Sequence, residues 1–238
     1  MRIQEFVDQI FLINLPRRGD RLKHAMETLG KLGIEHSRVE VFDGYDRPRP
    51  DINNPESQPN GNFGCTSSHR GVLEIIAHRR IKRALVLEDD FEFAYTNATR
   101  RFRCDPQALF DEACCEIPAN FDLLYLAGHY AEVPQERISK HIIRVGRMFT
   151  TSSYVITSEA ARKMAPYISG IGPIDCLFSE FTKKRMDGVK LLDAYCLEPR
   201  IFIQYTNHSD LHEKVENYEG CMMDGNHVKA MDEGRLTI

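Results

Sequence analysis

The chain has 238 residues, of which 42% are hydrophobic and 28% charged, and a formal net charge of −4. This composition is typical of a globular protein and excludes a collagen-like or disordered chain. The acidic balance provides no basic field that would attract nucleic acid, so no nucleic-acid partner is expected. No apolar run approaches the roughly 20 residues of a membrane span, and Glu5 and Asp8 stand where a signal peptide would be basic or apolar. A cytoplasmic protein is therefore predicted.

Strand and helix signals alternate from the start of the chain. An almost wholly apolar run from Gln9 to Asn14 predicts a buried strand of a parallel sheet. Asp20 offers an N-cap to a helix that Gly30 would close, and a second strand is predicted over residues 39–42. The proline-rich stretch of residues 43–62 is typical of a binding loop or a mobile loop.

The same alternation continues to the end of the chain. A second helix is predicted to begin near Thr66 or Ser67, Asp105 followed by proline marks another helix start, and Ser158 is expected to cap a later one. Further strands are expected at residues 84–87, 122–126, 153–156, 189–192 and 201–204, and a further helix at 175–186. The pattern predicts an α/β fold with a mostly parallel central sheet flanked by helices, in a single domain over residues 1–238.

The sharpest chemical feature is LVLEDDF, a buried strand that ends in Glu88, Asp89 and Asp90. Adjacent like charges repel, and in open α/β sheets ligands bind at the carboxyl ends of strands. Oxygen ligands suit Mg²⁺ or Mn²⁺, which bridge protein carboxylates to a diphosphate. The alternative is a polar strand end whose acids cap the following turn. The motif indicates a divalent cation with a phosphate group but leaves the reaction open.

Two other segments indicate a nucleotide site. INLPRRGDR would place Arg17 and Arg21 against a phosphate or base, although an exposed basic turn is equally consistent with the pattern. In GNFGCTSSH the small residues would let the backbone approach a ligand, and a helix N-terminus would donate N–H groups to an anion. Ser68 and His69 would face the same opening, unless His69 is a buried histidine with its partners inside the protein.

Other functional fingerprints are absent from the sequence. It contains no GxxxxGK[ST], HExxH or GxSxG pattern, which argues against P-loop, metalloprotease and α/β-hydrolase chemistry. The seven cysteines include no CxxC pair, so a zinc ribbon is not expected and the thiols are predicted to be reduced.

In chain order, FLINLPRRGDRL, GNFGCTSSHRGVLEII, ALVLEDDFEF and DLLYLAG resemble segments of glycosyltransferase family 25, the lipopolysaccharide-type and collagen-type galactosyltransferases. TTSSYVITSEAARKM, GPID and EPRIFIQ with a later HSDL follow in the family's order. The resemblance spans about residues 10–211 and leaves residues 212–238 as a tail without a counterpart. Each motif is weak alone, but their shared order is specific.

The resemblance implies a GT-A type fold, a UDP-sugar donor and inversion at the anomeric carbon. By the same resemblance, Glu88 and Asp90 carry Mn²⁺ or Mg²⁺, with His208 as a further ligand, and Asp89 reaches the donor ribose or sugar. The opening loop of the family meets the nucleotide at the positions of Asn14, Leu15, Arg17 and Arg21.

The expected reaction is a direct displacement in which an acceptor hydroxyl attacks C1 of the donor sugar. Asp175 is the first candidate for the general base, because neighbouring glycines would let that backbone approach the sugar. A helix N-cap is the alternative role for Asp175, and Asp210 is the second candidate base. The donor sugar is expected to be galactose.

The acceptor is expected to be a glycan such as a lipopolysaccharide or lipooligosaccharide core, and a peripheral contact with the inner membrane leaflet stays open. Two other classes remain alternatives at this stage. A metal-dependent phosphoesterase would use the same acidic strand end, and a non-catalytic module would bind a sugar nucleotide without turnover.

Overall fold

The computed structural model describes residues 1–46, 61–94, 105–130, 136–168, 172–183 and 191–205, together with the backbone of 207–209 and 214–216. Most of the proline-rich stretch expected to form a loop lies outside these residues. Asp210 and most of the predicted tail lie outside them as well.

The helices are, in chain order, α1 (Ile3–Phe6), α2 (Gly19–Lys31), α3 (Gly61–Arg79), α4 (Pro106–Ala113), α5 (Ser158–Met164) and α6 (Ile174–Thr182). The strands of the first half are β1 (Gln9–Asn14), β2 (Val39–Asp43), β3 (Arg83–Glu88), β4 (Phe91–Phe93), β5 (Leu123–Tyr125), β6 (His129–Tyr130) and β7 (Glu136–Arg137). Those of the second half are β8 (Ile142–Val145), β9 (Met148–Phe149), β10 (Ser153–Thr157), β11 (Ala194–Leu197), β12 (Phe202–Gln204), β13 (Asn207–Ser209) and β14 (Lys214–Glu216).

Within the described residues the main sheet has eight strands in the order β2-β1-β3-β10-β5-β11-β8-β7. Strand β1 pairs in parallel with β2 and β3, and β11 pairs in parallel with β5. Strand β10 runs antiparallel between β3 and β5, and β8 runs antiparallel between β11 and β7. Six of the eight strands therefore point one way, and only β8 and β10 oppose them, which confirms the expected α/β architecture with a mostly parallel central sheet.

The central strands are buried on both faces of the sheet. In β1, Ile10 and Leu12 pack in one apolar cluster with α2 and α4, whereas Phe11 and Ile13 pack in a second cluster with α3, α5 and α6. Successive side chains of a strand point to opposite faces, so a strand covered on both sides needs an uninterrupted apolar run. This is why the prediction for Gln9–Asn14 agrees with β1 at both ends.

The start of α3 was predicted wrongly. The helix begins at Gly61 rather than near Thr66, so the backbone of the GNFG segment is helical. A Cβ at Gly64 would collide with the carbonyl oxygen of Tyr45. Glycine does permit a close backbone approach here, but the approaching backbone belongs to the loop after β2 and not to a ligand. The N–H groups of Ser67 and Ser68 consequently lie inside the helix, not at its N-terminus.

Other helix boundaries also differ from expectation. Helix α2 is capped at Arg18 and continues one residue past Gly30, while Asp20 lies in the first turn and pairs with Arg18. The prediction of a helix start at Asp105 is confirmed, because its side chain accepts hydrogen bonds from two N–H groups of α4. Thr157, not Ser158, caps α5.

The end of the chain shows two further differences. Helix α6 ends at Thr182, whereas residues 184–190 lie outside the described part of the chain. Of the strand expected over residues 189–192, the first two residues lie outside the described part of the chain, the other two are not in a strand, and the described strand of this region is β11. Among the described residues, no helix is both long and apolar enough to cross a membrane.

Candidate active site

The acidic motif lies at the carboxyl end of β3, where the sheet changes strand direction. Strand β1 ends beside it at Asn14, and β10 begins beside it in the opposite sense, so that the Glu88 N–H donates to the Ser152 carbonyl oxygen at 2.9 Å. Asp89 and Asp90 form the turn into β4, which pairs with β12. Side chains from β1, β10, β12, α2 and α3 can therefore converge on this edge.

Glu88 is held by donors from two neighbouring elements. His69 of α3 donates from Nε2 to Glu88 Oε1 at 3.1 Å, and the Thr151 hydroxyl donates to the same oxygen at 3.1 Å. The other ring nitrogen of His69, Nδ1, lies 2.9 Å from the Tyr154 hydroxyl. Burial would raise the pKa of Glu88, but the hydrogen bonds from His69 and Thr151 outweigh it and the pKa is lowered. Glu88 is therefore an ionised carboxylate with one oxygen already engaged.

Asp89 and Asp90 share a single buried guanidinium. Arg21 Nη1 lies 2.9 Å from Asp89 Oδ1 and 3.3 Å from Asp90 Oδ2, and the Gln204 amide donates to the latter oxygen at 2.9 Å. Burial raises the pKa of both aspartates, with the charge of Glu88 adding to the effect and Arg21 opposing it. Asp90 Oδ1 is buried and has no hydrogen-bond partner among the described residues.

Three carboxylates and one buried guanidinium meet at this edge of the sheet. The carboxylates of Glu88, Asp89 and Asp90 are adjacent and largely buried, and Arg21 provides the guanidinium between the two aspartates. An unpartnered carboxylate oxygen in such a place suits a divalent cation, which takes oxygen ligands and lowers the cost of burying negative charge.

Asp175 faces the same region from α6. Its Oδ2 accepts the Thr150 N–H at 3.2 Å, and its Oδ1 accepts the Cys176 N–H at 2.7 Å. Because the N-cap of α6 is Pro173, the alternative role of Asp175 as a plain N-cap does not hold. Burial raises the pKa of the Cys65 thiol, and the negative charges of Glu88 and Asp175 raise it further.

The backbone that holds Asp175 has an unusual conformation. Thr150 has a φ of 65°, a region that β-branched residues rarely enter. Gly128 lies opposite with a φ of 106°, and a Cβ there would be 2.8 Å from the Phe149 carbonyl oxygen. Strained backbone of this kind concentrates at functional sites, and here it points the Thr150 N–H at Asp175.

The residues predicted to bind a donor are divided between the site and its surroundings. Asn14 is buried at the site, donates from Nδ2 to the Leu15 carbonyl oxygen at 2.8 Å, and has an Oδ1 without a partner among the described residues. Arg17 lies at the surface, where it pairs with Asp46 at 2.7 Å. Arg21 is buried beneath the carboxylates and engaged by them, so its guanidinium orients Asp89 and Asp90 in this structure.

Ser68 does not face an opening, contrary to expectation, and His69 takes the alternative role of a buried histidine with its partners inside the protein. They are 2% and 0% exposed. The Ser68 hydroxyl donates to the Gly64 carbonyl oxygen at 2.7 Å and accepts the Tyr45 N–H at 2.8 Å. Both ring nitrogens of His69 have partners inside the protein. Ser68 therefore holds the loop after β2 against α3, and His69 holds Glu88.

The side chains of two predicted site residues lie outside the described part of the chain. His208 lies in β13, opposite Val215 of β14, and the description there extends to the backbone only. Asp210 lies outside the described residues. In contrast, sequence reasoning missed Cys65, whose spacing of four residues from His69 on one helix was the available signal.

Buried carboxylates at the carboxyl end of a central strand, adjoining a break in strand direction, stand where open α/β sheets commonly bind ligands, and their oxygens are of the kind that divalent cations prefer. The chain belongs to glycosyltransferase family 25, because the model of that family, described as "Glycosyltransferase family 25 (LPS biosynthesis protein)", matches residues 7–178.

Individual relatives agree with this assignment. The chain is 27% identical over 233 residues to a procollagen lysyl hydroxylase and glycosyltransferase of Acanthamoeba polyphaga mimivirus, covering 82% of this chain and 24% of that protein. It is 28% identical over 175 residues to human procollagen galactosyltransferase 2, covering 66% of this chain and 27% of that protein. The chain thus spans about a quarter of the length of both relatives. Further relatives are named as inactive or probably inactive family members.

A solved structure of similar shape is a glycosyltransferase involved in the glycosylation of the major capsid of PBCV-1. It is 10% identical, with a TM-score of 0.42 over 86% of this chain and 96% of that chain. This likeness is too weak to carry a conclusion about donor or metal.

Proposed function

We propose that the protein is an inverting glycosyltransferase that moves a hexose, galactose, from a UDP-sugar to a hydroxyl of a glycan acceptor. The observation that carries the proposal is the set of buried carboxylates at the end of β3, with an unpartnered oxygen on Asp90. Family membership supports glycosyl transfer, and the name of the human relative supports galactose. The description of the family supports a lipopolysaccharide-type acceptor.

The proposed cofactor is Mn²⁺ or Mg²⁺, with Glu88 and Asp90 as ligands and His208 as a further one. Such an ion supplies positive charge to the departing diphosphate. The unpartnered Asp90 Oδ1 fits this role, because it is the kind of oxygen that a hard cation binds. Arg21 and Gln204 fix the other oxygen of Asp90, so that Oδ1 keeps its direction.

Asp175 is the proposed general base. In a single displacement the acceptor oxygen bonds to C1 of the sugar, the bond from C1 to the diphosphate oxygen breaks, and the hydroxyl proton passes to the carboxylate. The Thr150 N–H orients Asp175 for this role without neutralising it. Asp210 remains the second candidate base.

The experiment is UDP release from a panel of UDP-sugars with Mn²⁺, with Mg²⁺ and with EDTA. Slow release from one donor, lost in EDTA, is expected. Asp90→Asn should lower the rate by at least about 100-fold, since removing a single charge-stabilising group typically costs 10²–10³-fold. Asp20→Asn is the matched control, because Asp20 is an exposed aspartate paired with Arg18. Unchanged release in Asp90→Asn would refute the metal role of Asp90.

The named inactive relatives favour one second candidate, a module that binds a sugar nucleotide without turnover. Calorimetry of the same UDP-sugars separates the two candidates. Binding with release supports the transferase, whereas binding without release, with glycan acceptors present, supports the module. Hydrolysis of simple phosphate esters in place of UDP-sugars would instead favour the phosphoesterase alternative.

A further inference from the structure

A cysteine, a histidine and a carboxylate converge beneath the acidic motif. Cys65 and His69 are one turn apart on the same face of α3, and Glu88 ends the neighbouring strand. The Cys65 sulfur, a ring nitrogen of His69 and a carboxylate oxygen of Glu88 all lie within 4.8 Å of one another. The closest of these contacts, from His69 Nε2 to Glu88 Oε1, is 3.1 Å.

This donor set has the composition of a zinc site. Zn²⁺ binds thiolate, imidazole and carboxylate at about 2.0–2.3 Å in a tetrahedron, which separates ligand atoms by roughly 3.3–3.8 Å. Starting from the 4.8 Å limit, the three atoms need to close by at most about 1.5 Å to meet that geometry. Mg²⁺ and Mn²⁺ prefer oxygen ligands, whereas a thiolate selects softer ions.

The groups around the cluster resemble the outer shell of a metal site. Histidine ligands usually donate their second ring N–H to an oxygen, and His69 Nδ1 lies 2.9 Å from the Tyr154 hydroxyl. The Thr151 hydroxyl donates to Glu88 and fixes its orientation. The rings of Tyr154 and Phe178 pack against the imidazole and restrict its movement.

The negative charge around Cys65 also favours the binding of a cation. Burial raises the pKa of its thiol, and the negative charges of four carboxylates raise it further, those of Glu88, Asp175, Asp90 and Asp89. A divalent cation bound among them would displace the thiol proton to solvent, as metal binding at a thiol requires, while the proton on His69 Nε2 would pass to Nδ1, which would then donate to the Tyr154 hydroxyl.

We propose that Cys65, His69 and Glu88 form a binding site for a soft divalent cation, Zn²⁺, with a fourth coordination position open. The site differs in ligand set from the one proposed at Glu88, Asp90 and His208, because it includes a thiolate, and it does not depend on glycosyl transfer. Because Glu88 belongs to both sets, zinc at Cys65 and His69 competes for the carboxylate that the proposed catalytic ion uses.

The test uses Co²⁺, a coloured ion of similar coordination preference, added to the reduced, metal-free protein without any nucleotide sugar. The expected result is a sulfur-to-cobalt charge-transfer band in the near ultraviolet that saturates at one equivalent. Cys65→Ser should abolish the band, whereas Cys115→Ser, which changes an exposed cysteine elsewhere, should retain it. Zn²⁺ should displace Co²⁺ and remove the band, since zinc binds such sites more tightly.

A second variant keeps the test decisive if Cys65→Ser folds poorly. His69→Gln preserves an N–H donor for Glu88 while removing the imidazole, and should weaken Zn²⁺ binding by more than the roughly 10–100-fold typical of outer-shell changes. Circular dichroism of each metal-free variant checks that it is folded. The absence of a thiolate band in the reduced wild-type protein, or its persistence in Cys65→Ser, would overturn the proposal and leave a hydrogen-bonded cluster without a metal role.

Discussion

At the scale of single residues, Asp175 illustrates how backbone geometry prepares a side chain. One carboxylate oxygen accepts the N–H of Thr150, whose positive φ is uncommon for threonine, and the other accepts the N–H of Cys176. Neither contact supplies a proton that would neutralise the carboxylate. The residue is therefore oriented and still able to accept a proton from a hydroxyl group.

Asp175→Asn is expected to lower turnover of the preferred UDP-sugar by about 10²–10⁴-fold, the usual contribution of a general base. The amide oxygen still accepts one N–H, so donor binding should change little. Steady-state kinetics with calorimetry of donor binding measures both effects. Glu180→Gln, an exposed change on the same helix, serves as the control. If Asp175→Asn keeps normal turnover, Asp210 becomes the candidate base.

Arg21 has different partners in the structure from those that the sequence predicts. The resemblance placed it where the opening loop meets a nucleotide, but its guanidinium lies buried between Asp89 and Asp90. Removing one partner of a buried ion pair leaves an uncompensated charge, which is costly. In this arrangement Arg21 acts on the site by holding two carboxylates.

At the scale of elements, the residue that caps α5 differs from the one that the local sequence predicts. Both Thr157 and Ser158 are residue types that favour an N-cap, and the sequence favoured Ser158. In the structure Thr157 ends β10 and its hydroxyl accepts the Ala160 N–H at 3.2 Å. The pairing of β10 with β3 extends to Thr157, so the strand decides where the helix begins.

Thr157→Ala should therefore lower the free energy of unfolding by about 1 kcal/mol, within the range of about 0.5–2 kcal/mol for the loss of an N-cap. Ser158→Ala, the neighbouring control, should change it by no more than about 0.5 kcal/mol. Urea unfolding of both variants measures the difference. A larger loss in Ser158→Ala than in Thr157→Ala would contradict the cap assignment.

At the scale of the whole molecule, the sheet determines which thiols can react. Cys196 lies in β11, between β5 and β8, and is fully buried. Burial raises its pKa to about 12, so the thiol is neutral at ordinary pH. Cys115, in contrast, is exposed beyond α4.

Alkylation at pH 8 followed by mass spectrometry is expected to modify Cys115 in the native protein and to leave Cys196 unmodified. In increasing urea, modification of Cys196 should follow the global unfolding transition, because a central strand opens only when the sheet does. Modification of both cysteines at similar rates in the absence of urea would show that β11 opens locally.

The sequence by itself determined the features that depend on neighbouring residues. The apolar run of Gln9–Asn14 predicted β1, Asp105 before a proline predicted the start of α4, and the acids after residues 84–87 placed charge at a strand end. The order of the motifs also predicted the family that the family model confirms. Each of these signals is local or lies in the linear order of the chain.

Only the tertiary structure decided which distant groups meet. Arg21 contacts Asp89 across 68 positions, and β10 enters antiparallel between β3 and β5, which brings Thr151 to Glu88. The same packing buries His69, whose partners no spacing could identify. These contacts follow from burying apolar faces on both sides of the sheet, which forces buried charges to find partners wherever the fold places them.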